Sequence, residues 1–225
     1  MTGEHSSSQY NHDLEAIRSQ VLLMGGLVEN HFQDAMSCYR TGNSEHAAAV
    51  VKSDEEVNRL EVMLDDMCSH LIVKRQPAAN DLRTVMATGK VITDLERIGD
   101  ESTKIARIAQ EMMHKNRSNA MFSGYETVRV LANSVGQMLH QSLDAFARHD
   151  DAKAVQLIAF DEIIDSDFRS IMRNLITFMM EDPGTISFAL DALWVAKAIE
   201  RIGDHAKNIA EHTIYIVEGR DIRHS

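Results

Sequence analysis

Apolar positions recur along this 225-residue chain at steps of three, four and seven, which is the spacing of one face of an α-helix. The clearest stripe consists of Val91, Leu95, Ile98, Ile105, Ala109 and Met112. Five polar, glycine- or proline-containing breaks interrupt the pattern. The six predicted helices cover residues 11–40, 44–75, 80–115, 125–148, 151–180 and 185–218. The pattern therefore predicts an all-α protein of six long helices.

The chain also contains an internal repeat. The motif Glu-Arg-Ile-Gly-Asp at 96–100 recurs unchanged at 200–204, an offset of 104 residues. Upstream the offset is 107, as between the helix-capping residues Asn43 and Asp150. The change in offset falls in the turn before the third helix of each copy, where insertions are tolerated. The repeat predicts two similar antiparallel three-helix bundles in tandem.

The domain boundaries follow from these breaks. We expect a disordered leader at 1–10, a first bundle at 11–116, a linker at 117–124, a second bundle at 125–219 and a tail at 220–225.

Composition and charge exclude several classes of protein. The chain has 23 Lys and Arg against 34 Asp and Glu, a net charge of −11, whereas a nucleic-acid partner would require a basic face. No apolar run approaches the roughly 18 residues of a membrane-spanning helix, and the N-terminus lacks a signal-peptide pattern. We therefore expect a soluble cytoplasmic protein without membrane insertion. Cys38 and Cys68 lack the spacing of zinc ligands and are predicted to be small buried groups.

Each copy of the repeated motif carries two acidic side chains. Glu96 and Asp100 are four residues apart and share one helix face, as do Glu200 and Asp204. This face lies nearly opposite the apolar stripe, so the carboxylates are predicted to point away from the core. Like charges at this spacing destabilise a helix by about 0.2–0.5 kcal/mol unless they are neutralised.

The preceding helix of each copy carries a matching polar pair, Asp54 and Asn58 in the first copy and Asp161 and Asp165 in the second. In the first copy, the middle of this pair and the middle of the acidic motif both lie 21 residues from Pro77. Because the short turn makes the two helices antiparallel, both pairs should lie at one height, about 30 Å from the turn. The second copy has almost the same spacing.

Clustered carboxylates without cysteine are typical of a hard-oxygen site for Mg²⁺, Mn²⁺ or Fe. The alternative is a solvated acidic face. Gly99 and Gly203, each costing about 1 kcal/mol inside a helix, suit the close approach of another backbone, a ligand or a packed helix. Arg97 and Arg201 could pair with the carboxylates or with an anion, and His205 could be a peripheral ligand or a surface residue.

The paired Glu-Arg-Ile-Gly-Asp motifs, each on the third helix of a three-helix unit, resemble the PhoU family of phosphate-uptake regulators. Segments 75–83 after the second helix, 180–183 after the fifth and 24–29 near the start also match. The resemblance extends over residues 11–222, nearly the whole chain. It implies a cytoplasmic all-α protein of two three-helix bundles, often a homodimer, with metal clusters held on the bundle surface by acidic motifs.

Carried over to this sequence, the resemblance assigns eight metal-site residues. They are Asp54, Asn58, Glu96 and Asp100 in the first copy and Asp161, Asp165, Glu200 and Asp204 in the second. The ion stays open among Mg, Mn, Fe and Zn. Asn58 departs from the charged pattern of Asp165, so the first site is expected to bind metal more weakly or to bind a different ion.

The family represses the phosphate-starvation response when phosphate is plentiful, so the resemblance implies a regulator rather than an enzyme. Its implied partners are the ATPase subunit of the phosphate ABC transporter and a membrane sensor histidine kinase. One alternative is a carboxylate-metal hydrolase or oxidase built on a helical bundle. Against it, the acidic residues are predicted on a convex surface, whereas enzymes favour concave pockets. Another alternative is a purely structural helical repeat.

Overall fold

The computed structural model describes residues 2–114 and 118–222, with side chains for 9–114 and 124–222. Over these ranges the chain is helical and contains no β-strand, which confirms the all-α prediction. The helices are α1 (Thr2–Thr41), α2 (Ser44–Arg75), α3 (Ala79–His114), α4 (Ser118–Arg148), α5 (Asp151–Glu181) and α6 (Ile186–Glu218), with a short 3₁₀ turn at Pro183–Thr185.

Side chains cap two of the helix starts that the sequence predicts. The Asn43 side chain accepts a hydrogen bond from the His46 backbone N–H at 3.0 Å, at the start of α2. Asp150 accepts from the Lys153 N–H at 2.9 Å, at the start of α5. Such caps satisfy backbone donors that have no partner within the helix. The two copies of the repeat therefore begin their second helix in the same way.

Helices α1 to α3 form one antiparallel bundle and α4 to α6 form the other. The bundles are joined where α3 packs against α6 and α1 packs against α4. A shared apolar core runs through both, and the predicted stripe on α3 lies in it, with Val91, Leu95, Ile98 and Ile105 fully buried. The two helices that pack along this seam, α3 and α6, are those that carry the repeated acidic motifs.

The first helix begins earlier than predicted. Helix α1 starts at Thr2, within the segment 1–10 that we expected to be a disordered leader. Tyr10 is buried, and its hydroxyl donates a hydrogen bond to the Asp81 carbonyl on α3 at 3.1 Å. The local sequence contained no sign of this contact, because the two residues are 71 positions apart.

The predicted linker at 117–124 is also largely helical, since α4 begins at Ser118. Residues 115–117 lie outside the described ranges. At the other end, α6 stops at Glu218, and Gly219 adopts the left-handed conformation (φ 74°) that often ends a helix. The expected tail at 220–225 therefore follows a helix stop, and its residues 223–225 are not described.

Both cysteines are buried inside the bundle, as predicted, and neither forms a disulfide. Burial raises the pKa of Cys38 and of Cys68 to about 11. Since the thiolate is the reactive form, both groups are inert packing residues. Among the helices described, none is long and apolar enough to cross a membrane.

Candidate metal centres

The first acidic cluster is built where α2 and α3 approach closely. Asp54 on α2 is buried, and its Oδ1 atom has no hydrogen-bond partner. A β-carbon added to Gly99 on α3 would lie 3.3 Å from this oxygen and 3.2 Å from Val57 Cγ1. The glycine therefore allows α2 to pack closely on α3, with the Asp54 carboxylate at the contact.

The carboxylates from the two helices lie close enough to influence one another. Desolvation raises the pKa of Glu96, and the negative charges of Asp100, Glu61 and Asp54 raise it further, while Arg97 opposes them. Arg97 Nε lies 3.4 Å from Glu96 Oε2, and its Nη1 lies 3.8 Å from Asp100 Oδ2. Because Gly99 of the acidic motif packs against Asp54, the motif and the pair on α2 lie at one height in the first bundle, as their distances to the turn predicted.

Two further residues define the edges of this cluster. Asn58 is exposed one turn beyond Asp54 on α2, on the solvent side. His31 on α1 is buried on the inner side, where its Nε2 atom lies 3.3 Å from Thr103 Oγ1. Burial lowers the pKa of His31, although the charge of Asp54 acts in the opposite direction. His31 could not be predicted from the repeat, because it lies on α1 rather than on the two helices that carry the matching acidic pairs.

The second acidic cluster has the same construction on α5 and α6. Asp161 is buried, and its Oδ1 atom has no partner, while its Oδ2 accepts a hydrogen bond from Lys207 Nζ at 2.8 Å. The equivalent of Gly99, Gly203, packs against Ile164, with 3.3 Å between its added β-carbon and Cγ2. In both bundles the mid-helix glycine thus serves close helix packing, one of the roles left open by the sequence.

Lysine side chains neutralise part of the second cluster. Glu200 is buried, whereas the sequence predicted that it would point out to solvent. Both of its carboxylate oxygens accept hydrogen bonds from Lys197 Nζ, at 2.7 and 2.6 Å. Desolvation raises the pKa of Asp204 to about 6, helped by the charges of Glu200, Asp161 and Asp165 and opposed by Lys197. The four predicted residues of this bundle therefore form one electrostatic group, with Lys197 and Lys207 as its internal counter-cations.

An orphaned carboxylate oxygen at the same place in both bundles is the observation that fits a cation. Asp54 and Asp161 are equivalent in the repeat, and each keeps one buried oxygen without a donor. Buried polar atoms are almost always satisfied, so each of these two oxygens has room in its bonding for a hydrogen-bond donor or a cation. In the part of the chain whose side chains are described, no three His, Cys, Asp or Glu residues are arranged to hold an ion as they stand. An ion would therefore have to draw neighbouring carboxylates away from their Lys and Arg partners.

His205 makes a contact that the sequence did not predict. Its Nδ1 atom donates a hydrogen bond to Asp94 Oδ1 at 2.8 Å, and Asn208 Nδ2 donates to the same oxygen at 3.0 Å. His212 Nε2 lies 3.2 Å from Asp94 Oδ2. Burial alone would raise the pKa of Asp94, but these hydrogen bonds outweigh it and lower the pKa. The buried carboxylate on α3 thus ties the first bundle to three residues of α6 in the second.

Comparison with known proteins agrees with this architecture. The PhoU domain model matches residues 21–109 and 128–213, one match on each bundle. The chain is 44% identical over 220 residues to the phosphate-specific transport system accessory protein PhoU homolog of Pseudomonas putida, covering 98% of this chain and 85% of that protein. It is 44% identical over 221 residues to the phosphate-specific transport system accessory protein PhoU of Escherichia coli, covering 98% and 90%. The crystal structure of PhoU from Pseudomonas aeruginosa matches the fold with a TM-score of 0.89 at 41% identity, over 94% of this chain and 100% of that one. The chain therefore belongs to the PhoU family.

Proposed function

We propose that this protein regulates phosphate uptake and represses the phosphate-starvation response when phosphate is abundant. The observation that carries the proposal is that PhoU domains cover both bundles, in a chain 44% identical to proteins named as phosphate-specific transport system accessory proteins. In this role it links the ATPase subunit of a phosphate ABC transporter to a membrane sensor histidine kinase. We propose that it acts in the cytoplasm as a homodimer.

The acidic clusters serve this role as metal sites. Asp54, Asn58, Glu96 and Asp100 would hold an ion on the first bundle, and Asp161, Asp165, Glu200 and Asp204 would hold one on the second. The orphaned oxygens of Asp54 and Asp161 support this assignment. A bound cation supplies positive charge, which turns a surface that repels phosphate and acidic groups into one that attracts them.

The metal sites are tested by removing the two orphaned carboxylates together. Protein stripped with EDTA is titrated with Mn²⁺ by calorimetry, and its bound metal is counted by mass spectrometry. We expect one site per bundle in the wild type and loss of both in the Asp54→Asn, Asp161→Asn double variant. Asp144→Asn is the matched control, because Asp144 is exposed and, among the described side chains, pairs with Arg148 of the same helix. Equal Mn²⁺ binding by the double variant and the control would disprove the assignment.

The regulatory role is tested in a strain that lacks this gene and carries a phosphate-starvation reporter. In abundant phosphate, we expect the reporter to be on in the deletion strain and to be silenced by the intact gene. A reporter that stays off without the gene contradicts the proposal.

The alternative of a carboxylate-metal hydrolase makes a different prediction. Such an enzyme needs an open metal position beside a substrate pocket. A cavity of about 560 Å³ lies between α1 and α4, but none of the eight acidic-cluster residues lines it. Robust turnover of generic phosphoesters by the metal-loaded protein would favour the enzyme over the regulator.

A further inference from the structure

The α3–α6 seam has two sides that are equivalent in the repeat but differ in their side chains. On one side, Asp94 binds His205, Asn208 and His212 across the seam. On this side too, the cationic heads of Arg83 and Lys90 both lie 5.9 Å from the centre of the Tyr215 ring. These side chains bridge α3 and α6, and we call this the closed side of the seam.

The opposite side is open. At the offset of 104, Ala198 stands where Asp94 stands on the closed side, and Ile108 stands where His212 stands. Neither replacement can form the cross-helix hydrogen bonds. A cavity of about 350 Å³ remains, and we call it the outer groove; its lining includes Lys104, Arg107, Ile108, Trp194, Ala198 and Arg201. Its volume is within the range of protein binding sites.

The outer groove is basic, although the protein carries a net charge of −11. Lys104 Nζ and Arg201 Nη1 both contact the buried Glu101 carboxylate, at 2.7 and 3.3 Å. Arg107 is exposed and forms no ion pair with the residues that the structure describes. The full lining holds four cationic side chains, those of Lys104, Arg107, Lys197 and Arg201, against the two carboxylates of Glu101 and Glu111. The groove therefore carries an excess of positive charge, and the exposed Arg107 can meet an incoming carboxylate.

An apolar stripe extends the groove along α6. Trp194 is 64% exposed, and Leu190 and Ile186, four and eight residues before it, are 43% and 42% exposed. At 1.5 Å per residue, the stripe and the groove together span about 22 Å from Ile186 to Arg201. A nucleotide or another small anion would leave Leu190 and Ile186 uncovered. An exposed tryptophan beside arginine is typical of the residues that dominate binding energy at protein interfaces.

We propose that the outer groove and its apolar stripe bind an acidic amphipathic helix of a partner protein. An apolar side chain of that helix enters the groove beside Trp194, and its carboxylates pair with Arg107 and Arg201. Apolar anchors of this kind recur every three or four residues in helix-in-groove complexes. The proposal deepens the proposed function, on which it rests for the existence of a partner, by naming the surface that docks it.

Trp194 is the only tryptophan of the chain, so its fluorescence reports directly on the groove. The full-length protein is titrated with a synthetic helix of about 16 residues, long enough to span the stripe, with leucine on one face and glutamate elsewhere. A second peptide keeps the leucines and replaces glutamate by lysine. We expect a blue shift of Trp194 emission with the acidic peptide and binding at least about tenfold weaker for the basic one, which corresponds to about 1.4 kcal/mol.

Two variants separate docking from general charge effects. Arg107→Glu should weaken the binding of the acidic peptide at least about tenfold. Arg59→Glu on α2 is the matched control and should leave binding unchanged. Arg59 is exposed and, among the side chains that the structure describes, pairs with Glu56 of its own helix.

Three outcomes would overturn the proposal: no response to the acidic peptide, equal binding of the two peptides, or equal effects of the two variants. Quenching of Trp194 by ATP without a response to the peptide would also overturn it, because the groove would then be a small-anion site. The reporter experiment distinguishes failure of the docking proposal from failure of the proposed function. A reporter that stays silent in the deletion strain counts against the regulatory function, regardless of whether the peptides bind.

Discussion

Asp94 forms a buried polar link between the two bundles, and replacing it should destabilise the protein measurably. The carboxylate accepts hydrogen bonds from His205 and Asn208 on one oxygen and faces His212 with the other. Asp94→Asn keeps the shape of the side chain. It removes the charge and puts an amide N–H₂ where one acceptor was, so the contact with His205 and Asn208 can persist only in a weaker, neutral form.

The expected loss follows from these contacts. A hydrogen bond to a charged group contributes about 1.5–3 kcal/mol, and a neutral one contributes about 1 kcal/mol. The hydrogen bonds from His205 and Asn208 weaken, and the amide N–H₂ of the variant faces His212 where a carboxylate oxygen was. Together these changes give a loss of about 2–3 kcal/mol in the free energy of unfolding. Asp94→Ala should lose about 3–5 kcal/mol, because it leaves the buried partners unpaired.

Urea unfolding followed by far-UV circular dichroism at pH 7 in EDTA measures this loss. With an m-value of about 2–3 kcal/mol/M, the midpoint of Asp94→Asn should fall by about 1 M. The control Asp144→Asn makes the same chemical change at an exposed pair with Arg148 and should shift stability by less than about 0.5 kcal/mol. If the two variants unfold at the same urea concentration, Asp94 does not hold the bundles together.

Three further predictions concern the acidic clusters. In α3, the added β-carbon of Gly89→Ala meets open space, so this variant should stabilise the protein by about 1 kcal/mol. Gly99→Ala should stabilise it less, because its β-carbon lies 3.3 Å from Asp54 Oδ1 and 3.2 Å from Val57 Cγ1. The urea midpoints of the two variants test this difference. The pKa of Asp204 is raised to about 6, so the folded metal-free protein loses stability as pH rises through 6. Asp204→Asn should abolish this loss and, after allowance for solvent screening, be about 1 kcal/mol more stable than the wild type at pH 7. Thermal unfolding in EDTA measures the difference. Lys207→Met removes the cation on Asp161 and should tighten Mn²⁺ binding by calorimetry, whereas equal affinity would show that Lys207 does not compete with the ion.

The helices, their caps and the repeat could be predicted from the sequence because each is encoded locally. The side chains of Asn43 and Asp150 mark helix starts, and apolar periodicity marks the buried face of α3. The approach of the Asp54 and Glu96 carboxylates could also be predicted, since a short turn fixes the height of two antiparallel helices.

What could not be predicted depends on contacts between distant parts of the chain. Asp94 and His205 are 111 positions apart, and nothing in the period of either helix indicates that α3 packs on α6. Lys207 was visible as a charged residue, but its contact with Asp161 depends on side-chain direction across two helices. The open groove follows from the absence of a large side chain at Ala198, which becomes visible only when the two sides of the seam are compared.

We expect phosphate signalling by this protein to require the paired acidic clusters. The decisive measurement is the output of the phosphate-starvation reporter in abundant phosphate, in the deletion strain complemented with Asp100→Ala plus Asp204→Ala at wild-type protein level. The reporter should stay on, as in the strain without the gene, while the wild-type gene silences it. Silencing by the double variant equal to that of the wild type would contradict the claim.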